Sequence, residues 1–315
     1  MKNILLIGGP TCAGKSAVAF RLAREAGGEI VSADSRQFYR GLDIGTDKPP
    51  ARIRTEVPHH LLDCCSLGET CDIFAFSRAV TDIIGDIFSR GRIPIVVGGS
   101  GLYLRVLSRG IFTIPVGEKN RQKRVRDELE NLSTEQLLEE LSIVDPESAA
   151  RIHPHDRRRI RRALEVHRLT GSPISKLQRD MTISPLAGIG MLSYFILTRS
   201  RDNLHERIAR RVDEMFSAGW ITEVERLRAA GYAEHLRISS PIGYTEILDL
   251  LDGKTTREQA AALIKKKTKA LARRQLTWFR KEPGTWLEMT DDNEDKIVRR
   301  ILTTIREPES VSRDA

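Results

Sequence analysis

Asn3-Ile4-Leu5-Leu6-Ile7-Gly8-Gly9-Pro10-Thr11-Cys12-Ala13-Gly14-Lys15-Ser16 is the stretch whose reading decides the fold. Its apolar start, residues 3–7, is the length of one strand and reads as a buried strand of a parallel sheet. From Gly9 to Ser16 the residues match G-x-x-x-x-G-K-[ST]; Val18, Leu22 and Ala23 then fall at helical spacing until Gly27 and Gly28 stop the helix. Strand, glycine loop and helix in that order are the context a phosphate-binding loop requires. Loop N–H groups and the positive end of the helix surround an anion, Lys15 adds a point charge, and the Ser16 hydroxyl can ligate Mg²⁺. The expected diphosphate-binding residues are therefore Gly9, Pro10, Thr11, Cys12, Ala13, Gly14, Lys15 and Ser16. Such a loop reads charge and shape at the diphosphate and ignores what hangs from it. Most are nucleotide-binding, so this segment alone favours an ATP-binding small-molecule kinase or NTPase.

Further along, residues 29–32 and 93–97 read as strands and residues 74–89 as an amphipathic helix, so strands alternate with helices as in a parallel α/β sheet. After Pro115 almost nothing up to about residue 177 resembles a strand, and charge-rich helical segments dominate. Strand character returns at 189–198, followed by helices near 202–218, 220–230, 244–252, 256–281 and 294–306. The expected organisation is a phosphate-loop α/β core with helices on both faces of its parallel sheet, formed by 1–114 and 188–306. An all-helical insertion occupies 115–187, and 307–315 is a tail.

The 315 residues carry a net charge of +8, with basic residues bunched in 151–168 and 265–281. Clustering of that kind favours a nucleic-acid or phosphate partner over an evenly solvated surface. The apolar run at the N-terminus is too short for a secretory segment and no run of membrane-spanning length follows, so a cytoplasmic protein is expected. The four cysteines, Cys12, Cys64, Cys65 and Cys71, fit neither a zinc spacing nor a disulfide framework.

Asp34 stands at the end of the second strand, where ligands of open α/β sheets sit. A carboxylate there can take a proton from an attacking nucleophile, although an isolated Asp after a strand is more often a turn or helix cap. Val97-Gly98-Gly99-Ser100-Gly101 follows the third clear strand and opens on the same crevice, with Ser100 able to donate to a phosphate oxygen.

These segments, in this order, resemble the tRNA dimethylallyltransferase (isopentenyl-tRNA transferase) family. The resemblance extends through Ser32-Ala33-Asp34-Ser35, Tyr39 to Pro49, Pro58-His59-His60-Leu61-Leu62-Asp63, Gly91-Arg92-Ile93-Pro94, Asp145-Pro146, Arg151 to Asp156, Arg162 to Val166, Ile242-Gly243-Tyr244 and Arg274 to Phe279. It implies a prenyltransferase that moves a dimethylallyl group from dimethylallyl diphosphate to N6 of the adenine 3'-adjacent to the anticodon, giving N6-isopentenyladenosine. By position it implies that Asp34 is the base, with Lys15, Ser100 and Arg207 as further catalytic residues, Arg211 as a second diphosphate-binding arginine and Mg²⁺ held at Ser16. Asp34, Ser35, Arg36 and Gln37, with Arg158, Arg159, Ile160, Arg161 and Arg162, are the implied tRNA contacts. The implied partners are the tRNA anticodon stem-loop and dimethylallyl diphosphate, with no membrane, and the protein is expected to act as a monomer.

Ser100 stands where the family commonly has Thr, which keeps the hydroxyl. Cys64 to Cys71 departs from the usual family segment and is assigned no function, and Cys12 is unusual chemistry for a phosphate site. Trp278 and Phe279 read as core. A metabolite kinase, an adenylate prenyltransferase acting on a free nucleotide, and a non-catalytic RNA-binding protein are the competing readings. The arginine-rich insertion argues against the second, and intact Lys15, Ser16 and Asp34 argue against the third.

Overall fold

The computed structural model describes residues 2–69, 71–112, 119–180 and 182–306. The tail expected at 307–315 lies outside the described residues. Contacts divide the chain into two units, Met1–Ser108 with Pro185–Ala315, and Arg109–Ser184.

In the first unit six strands form one sheet: β1 (Asn3–Gly8), β2 (Gly28–Ser32), β3 (His59–His60), β4 (Ile93–Val97), β5 (Met191–Thr198) and β6 (Thr285–Glu288). Their order is β3-β2-β4-β1-β5-β6 and every pairing is parallel. The central strand explains why the sheet is covered on both sides. Leu5 and Ile7 pack into one apolar cluster with the helices Lys15–Ala26 and Glu294–Arg306, while Ile4 and Leu6 pack into another with Ile73–Ser89 and Gly101–Arg109. All four side chains are fully buried, as a strand in the middle of a parallel sheet requires. Phe279 is buried against Gly8, where an added Cβ would come within 2.7 Å of its ring. Trp278 is partly buried and stacks under the Arg105 guanidinium at 4.1 Å.

Strand order places β2, β4 and β1 side by side, so the loops that follow them leave the same edge of the sheet. This brings Asp34, Gly98–Ser100 and the phosphate loop together. A third apolar cluster, around Trp220, Tyr244, Ile247 and Ile264, joins the helices Arg201–Ser217, Trp220–Ala229, Tyr244–Leu251 and Arg257–Phe279. β3 and β6 were not expected: one is two residues long, and β6 is an edge strand with only Leu287 buried, too short for alternation to register.

In the second unit every described element is helical: Lys119–Glu130, Thr134–Val144, Pro146–Arg151, Arg157–Thr170 and Ile174–Asp180. Asp145 pins two helix starts at once, accepting the Ser148 N–H and the Ser175 N–H, each at 3.0 Å. Burial opposes its charge, but these N–H groups hold its carboxyl below the usual range. Leu129, Leu137, Leu141, Ile160, Leu164 and Val166 form the fully buried core of this unit.

Candidate active site

The phosphate loop takes a backbone path that its side chains dictate. Gly9 has φ 139°, and a Cβ there would lie 2.1 Å from the Leu197 carbonyl oxygen of β5, so only glycine lets the loop pass. The Lys15 ammonium reaches back across the loop to the Pro10 carbonyl at 2.7 Å. Two of the loop's N–H groups are already spent, Thr11 on the Gln275 side chain at 2.9 Å and Ala13 on Pro10 at 3.3 Å. The helix Lys15–Ala26 has no side-chain cap, which leaves N–H groups of its first turn facing the anion site.

Gln275 also donates to the Gly99 carbonyl at 2.9 Å, so one amide ties the phosphate loop to the loop after β4. Arginines brace the loop from the other side. Arg199, buried, donates to the Ala13 carbonyl at 3.3 Å; Arg207 donates to the Cys12 carbonyl at 3.1 Å; Arg211 donates to the Thr11 hydroxyl at 3.0 Å. Asp291 pairs with both Arg199 (2.7 Å) and Arg207 (3.3 Å), and Asp47 pairs with Arg211 at 3.2 Å.

Asp34 caps its own turn: Oδ1 accepts the Arg36 N–H at 2.9 Å, and Oδ2 makes no hydrogen bond among the described residues. The Ser100 hydroxyl accepts the Ser35 N–H at 3.2 Å, which joins the turn of Asp34 to the loop after β4. A cavity of about 560 Å³ opens between these parts, lined by Thr11, Cys12, Gly14, Lys15, Ser16, Asp34, Gln37, Gly98, Gly99, Arg207 and Arg211. Phe20, Ile30, Ile53 and Val97 add an apolar wall. A polar anion holder, a carboxylate and an apolar wall in one crevice can bind a phosphate ester with an apolar substituent and deprotonate a second reactant.

Of the expected residues, Gly9, Pro10, Ala13, Ser35, Arg36 and Ser100 do not line the cavity; Ala13 is fully buried in the core and can act only through its backbone. Gln275, Arg199, Asp47 and Arg210 belong to the site or its support and were not singled out in the sequence. Arg274-Gln275 lay in a recognised segment, but nothing in it signalled that the amide turns toward Thr11. In the second unit the arginine run splits by role. Ile160 is fully buried, so this expected RNA contact is a core residue: helical spacing puts it inward with Ala163 and Leu164. Arg162 pairs with buried Glu165 at 2.8 Å, Arg161 pairs with Glu130 and Arg159 with Asp156, while exposed Arg158 forms no ion pair among the described residues.

No group of three or more His, Cys, Asp or Glu among the described residues is able to hold a metal. Ser16, exposed at the helix start and lining the cavity, fits an Mg²⁺ bound chiefly by substrate phosphate oxygens and water.

Burial pushes the Lys15 ammonium down to about 8, with Asp34 and Cys12 partly offsetting the effect. An anion bound against it must raise that value again. Pyrophosphate affinity is therefore expected to be full below pH 8 and to fall as pH rises through it, with proton uptake on binding in that range. Calorimetry from below to well above this pH, in buffers of different ionisation enthalpy, measures both effects. A Lys15→Met enzyme isolates the ligand's own ionisation, and a wild-type profile parallel to that of Lys15→Met would contradict the assignment.

The parallel sheet and its phosphate loop define a phosphate-loop α/β protein. The chain belongs to the IPP transferase family, whose model matches residues 37–282, and an isopentenyl transferase model matches residues 2–57. It is 45% identical to a tRNA dimethylallyltransferase of Pelobacter propionicus over 91% of this chain and 93% of that one. To a tRNA dimethylallyltransferase of Thermotoga petrophila it is 40% identical over 98% and 100% of the two chains. Among solved structures, the tRNA isopentenylpyrophosphate transferase of Bacillus halodurans superposes with a TM-score of 0.68 at 36% identity, covering 97% of this chain and 96% of that one. A eukaryotic dimethylallyltransferase acting on tRNA superposes with a TM-score of 0.82 at 27% identity, covering 100% and 82%.

Proposed function

We propose that the enzyme transfers a dimethylallyl group from dimethylallyl diphosphate to N6 of the adenine 3'-adjacent to the anticodon in tRNA, giving N6-isopentenyladenosine. The observation that carries this reading is that Asp34 and Lys15, a carboxylate and an anion holder, line one cavity in a chain of this family. The adenine amine attacks C1 of the prenyl group; the N6–C1 bond forms as the C1–O bond breaks, and the electron pair leaves on diphosphate. Asp34 takes the N6 proton at Oδ2, since Oδ1 is held by Arg36. Charge grows on the departing diphosphate, so Lys15, Arg207, Arg211 and the N–H groups at the start of the helix stabilise the transition state more than the bound substrate. Mg²⁺, held at the Ser16 hydroxyl, would neutralise part of that charge. Ser100 acts by fixing the Asp34 turn through Ser35, and the apolar wall suits the five-carbon chain.

To enter this crevice the adenine must leave its stack, which single-stranded loop bases do most readily. Arg158 is the member of its run left for a phosphate, so Arg158→Ala raises KM for tRNA and lowers the salt slope by about one. By contrast, Arg162→Ala acts through Glu165 and shows as a lowered Tm. A filter-binding titration across salt separates the two; an unchanged slope for Arg158→Ala removes that contact. No helix among the described residues is long and apolar enough to cross a membrane. We further propose a cytoplasmic reaction carried out by a monomer. The test is incubation with Mg²⁺, unmodified tRNA, AMP as a competing acceptor, and labelled dimethylallyl diphosphate or labelled ATP. Prenyl label is expected in tRNA. Label entering AMP alone, or ATP turnover without prenyl transfer, overturns the reading.

A further inference from the structure

The segment from Tyr39 to Lys48 touches both halves of the site without supplying any group to the reaction. On one side, the carbonyls of Thr46 and Asp47 accept the Gln37 amide at 3.0 and 3.2 Å. The Gln37 carbonyl oxygen takes the Ser32 hydroxyl at 2.9 Å, and that hydroxyl accepts the Asp34 N–H at 3.4 Å. On the other side, the Asp47 carboxylate pairs with Arg211, which holds the Thr11 hydroxyl of the phosphate loop. A shift of this one segment therefore disturbs the turn that carries the base and an arginine of the anion site together.

What anchors the segment is a buried carboxylate. Glu223, 1% exposed in the helix Trp220–Ala229, accepts the Ile44 N–H at 2.7 Å and the Asp43 N–H at 3.2 Å through Oε2. Through Oε1 it accepts the Tyr244 hydroxyl at 2.6 Å. It forms no ion pair with Lys, Arg or His among the described residues, so three neutral donors replace the cation that a carboxylate at this depth usually has. Shape reinforces the charge. A Cβ on Gly45 would come within 2.3 Å of the Trp220 indole, and one on Gly243 within 1.9 Å of the same ring, so the segment and the start of the Tyr244 helix both lie directly on the indole.

We propose that Glu223, oriented by Tyr244, is a positioning residue for prenyl transfer: it sets residues 43–47 so that Gln37 holds the Asp34 turn and Arg211 holds the phosphate loop in register. This rests on the prenyl-transfer reading of the site. Removing the carboxylate leaves two partly buried N–H groups without their acceptor and frees the segment, and reacting groups displaced by about 1 Å lose roughly a hundredfold in rate.

The experiment compares wild type with Glu223→Ala, Glu223→Gln, Tyr244→Phe, Asp47→Ala and the Glu223→Ala/Asp47→Ala double variant. Each is assayed for kcat, for KM of both substrates and for pyrophosphate Kd, at a temperature where circular dichroism shows it folded. Glu223→Ala is expected to lower kcat about 10- to 100-fold and to weaken pyrophosphate binding. Glu223→Gln restores most of both, because its amide oxygen can accept the two N–H groups while its NH₂ donates to the Tyr244 oxygen. The Glu223→Ala and Asp47→Ala effects on Kd are non-additive, since one acts through the other. An unchanged kcat in folded Glu223→Ala, or additive losses, overturns the proposal. Should Glu223→Ala not fold, Tyr244→Phe decides, since it removes a single hydroxyl: a lowered kcat supports the role and an unchanged kcat overturns it. A wild type inactive on tRNA instead defeats the prenyl-transfer reading, and the pyrophosphate titrations then still decide whether Glu223 governs the anion site.

Discussion

Asp34→Ala is expected to bind tRNA and pyrophosphate as the wild type does while transferring the prenyl group about 10²- to 10⁴-fold more slowly, the usual range for a lost general base. Asp34 has one task in the structure and a second in the proposed reaction, and one substitution cannot separate them. Its Oδ1 caps the turn through the Arg36 N–H, whereas Oδ2 makes no hydrogen bond among the described residues and is the oxygen proposed to take the proton. Asp34→Asn keeps the cap, because the amide oxygen can still accept that N–H, and removes only the capacity to take a proton. If Asp34 is the base, the Asn variant is slowed at least about 10²-fold as well in single-turnover transfer at saturating tRNA, and any further loss in the Ala variant measures the cap. An Asn enzyme close to wild type would mean that Asp34 shapes the turn and another group takes the proton.

Lys15→Ala should show the second large loss, about 10²- to 10³-fold in kcat, comparable to removing one preorganised donor from a developing anion. The ammonium is held inside the loop by the Pro10 carbonyl, and burial keeps its charge poorly solvated until the diphosphate arrives. Its attraction therefore strengthens as the leaving group gains charge, and its removal affects kcat as well as donor KM. Lys15→Arg should not rescue, since a planar guanidinium cannot fold back across a loop built around a compact ammonium. tRNA affinity should stay unchanged. Rapid-quench single turnovers measure the step; a Lys15→Ala enzyme within about tenfold of wild type would show that the arginines alone carry the charge.

Local patterns made much of this legible. The run Ile4–Ile7, the spacing of Gly9, Gly14, Lys15 and Ser16, and the helix to Ala26 are interactions between near neighbours, so strand, loop and helix follow from residues a few positions apart. The same holds for β2 and β4 and for the charge-rich helices between them and β5, although the density of arginines around Ile160 hid the inward position that 3.6-residue spacing gives it.

By itself, then, the sequence determined a parallel sheet with a phosphate loop at its first turn, Asp34 at the edge where that loop emerges, and an all-helical segment between two runs of the same sheet. Only the tertiary structure decided what holds these parts in place. Gln275 meets Thr11 across 264 residues, Arg199 meets Ala13 across 186, and Glu223 meets Asp43 across 180. Contacts of that kind are chosen when strands pair and helices pack, and a side chain that bonds one distant backbone group has the same local spacing as one facing water; periodicity therefore carries no trace of them.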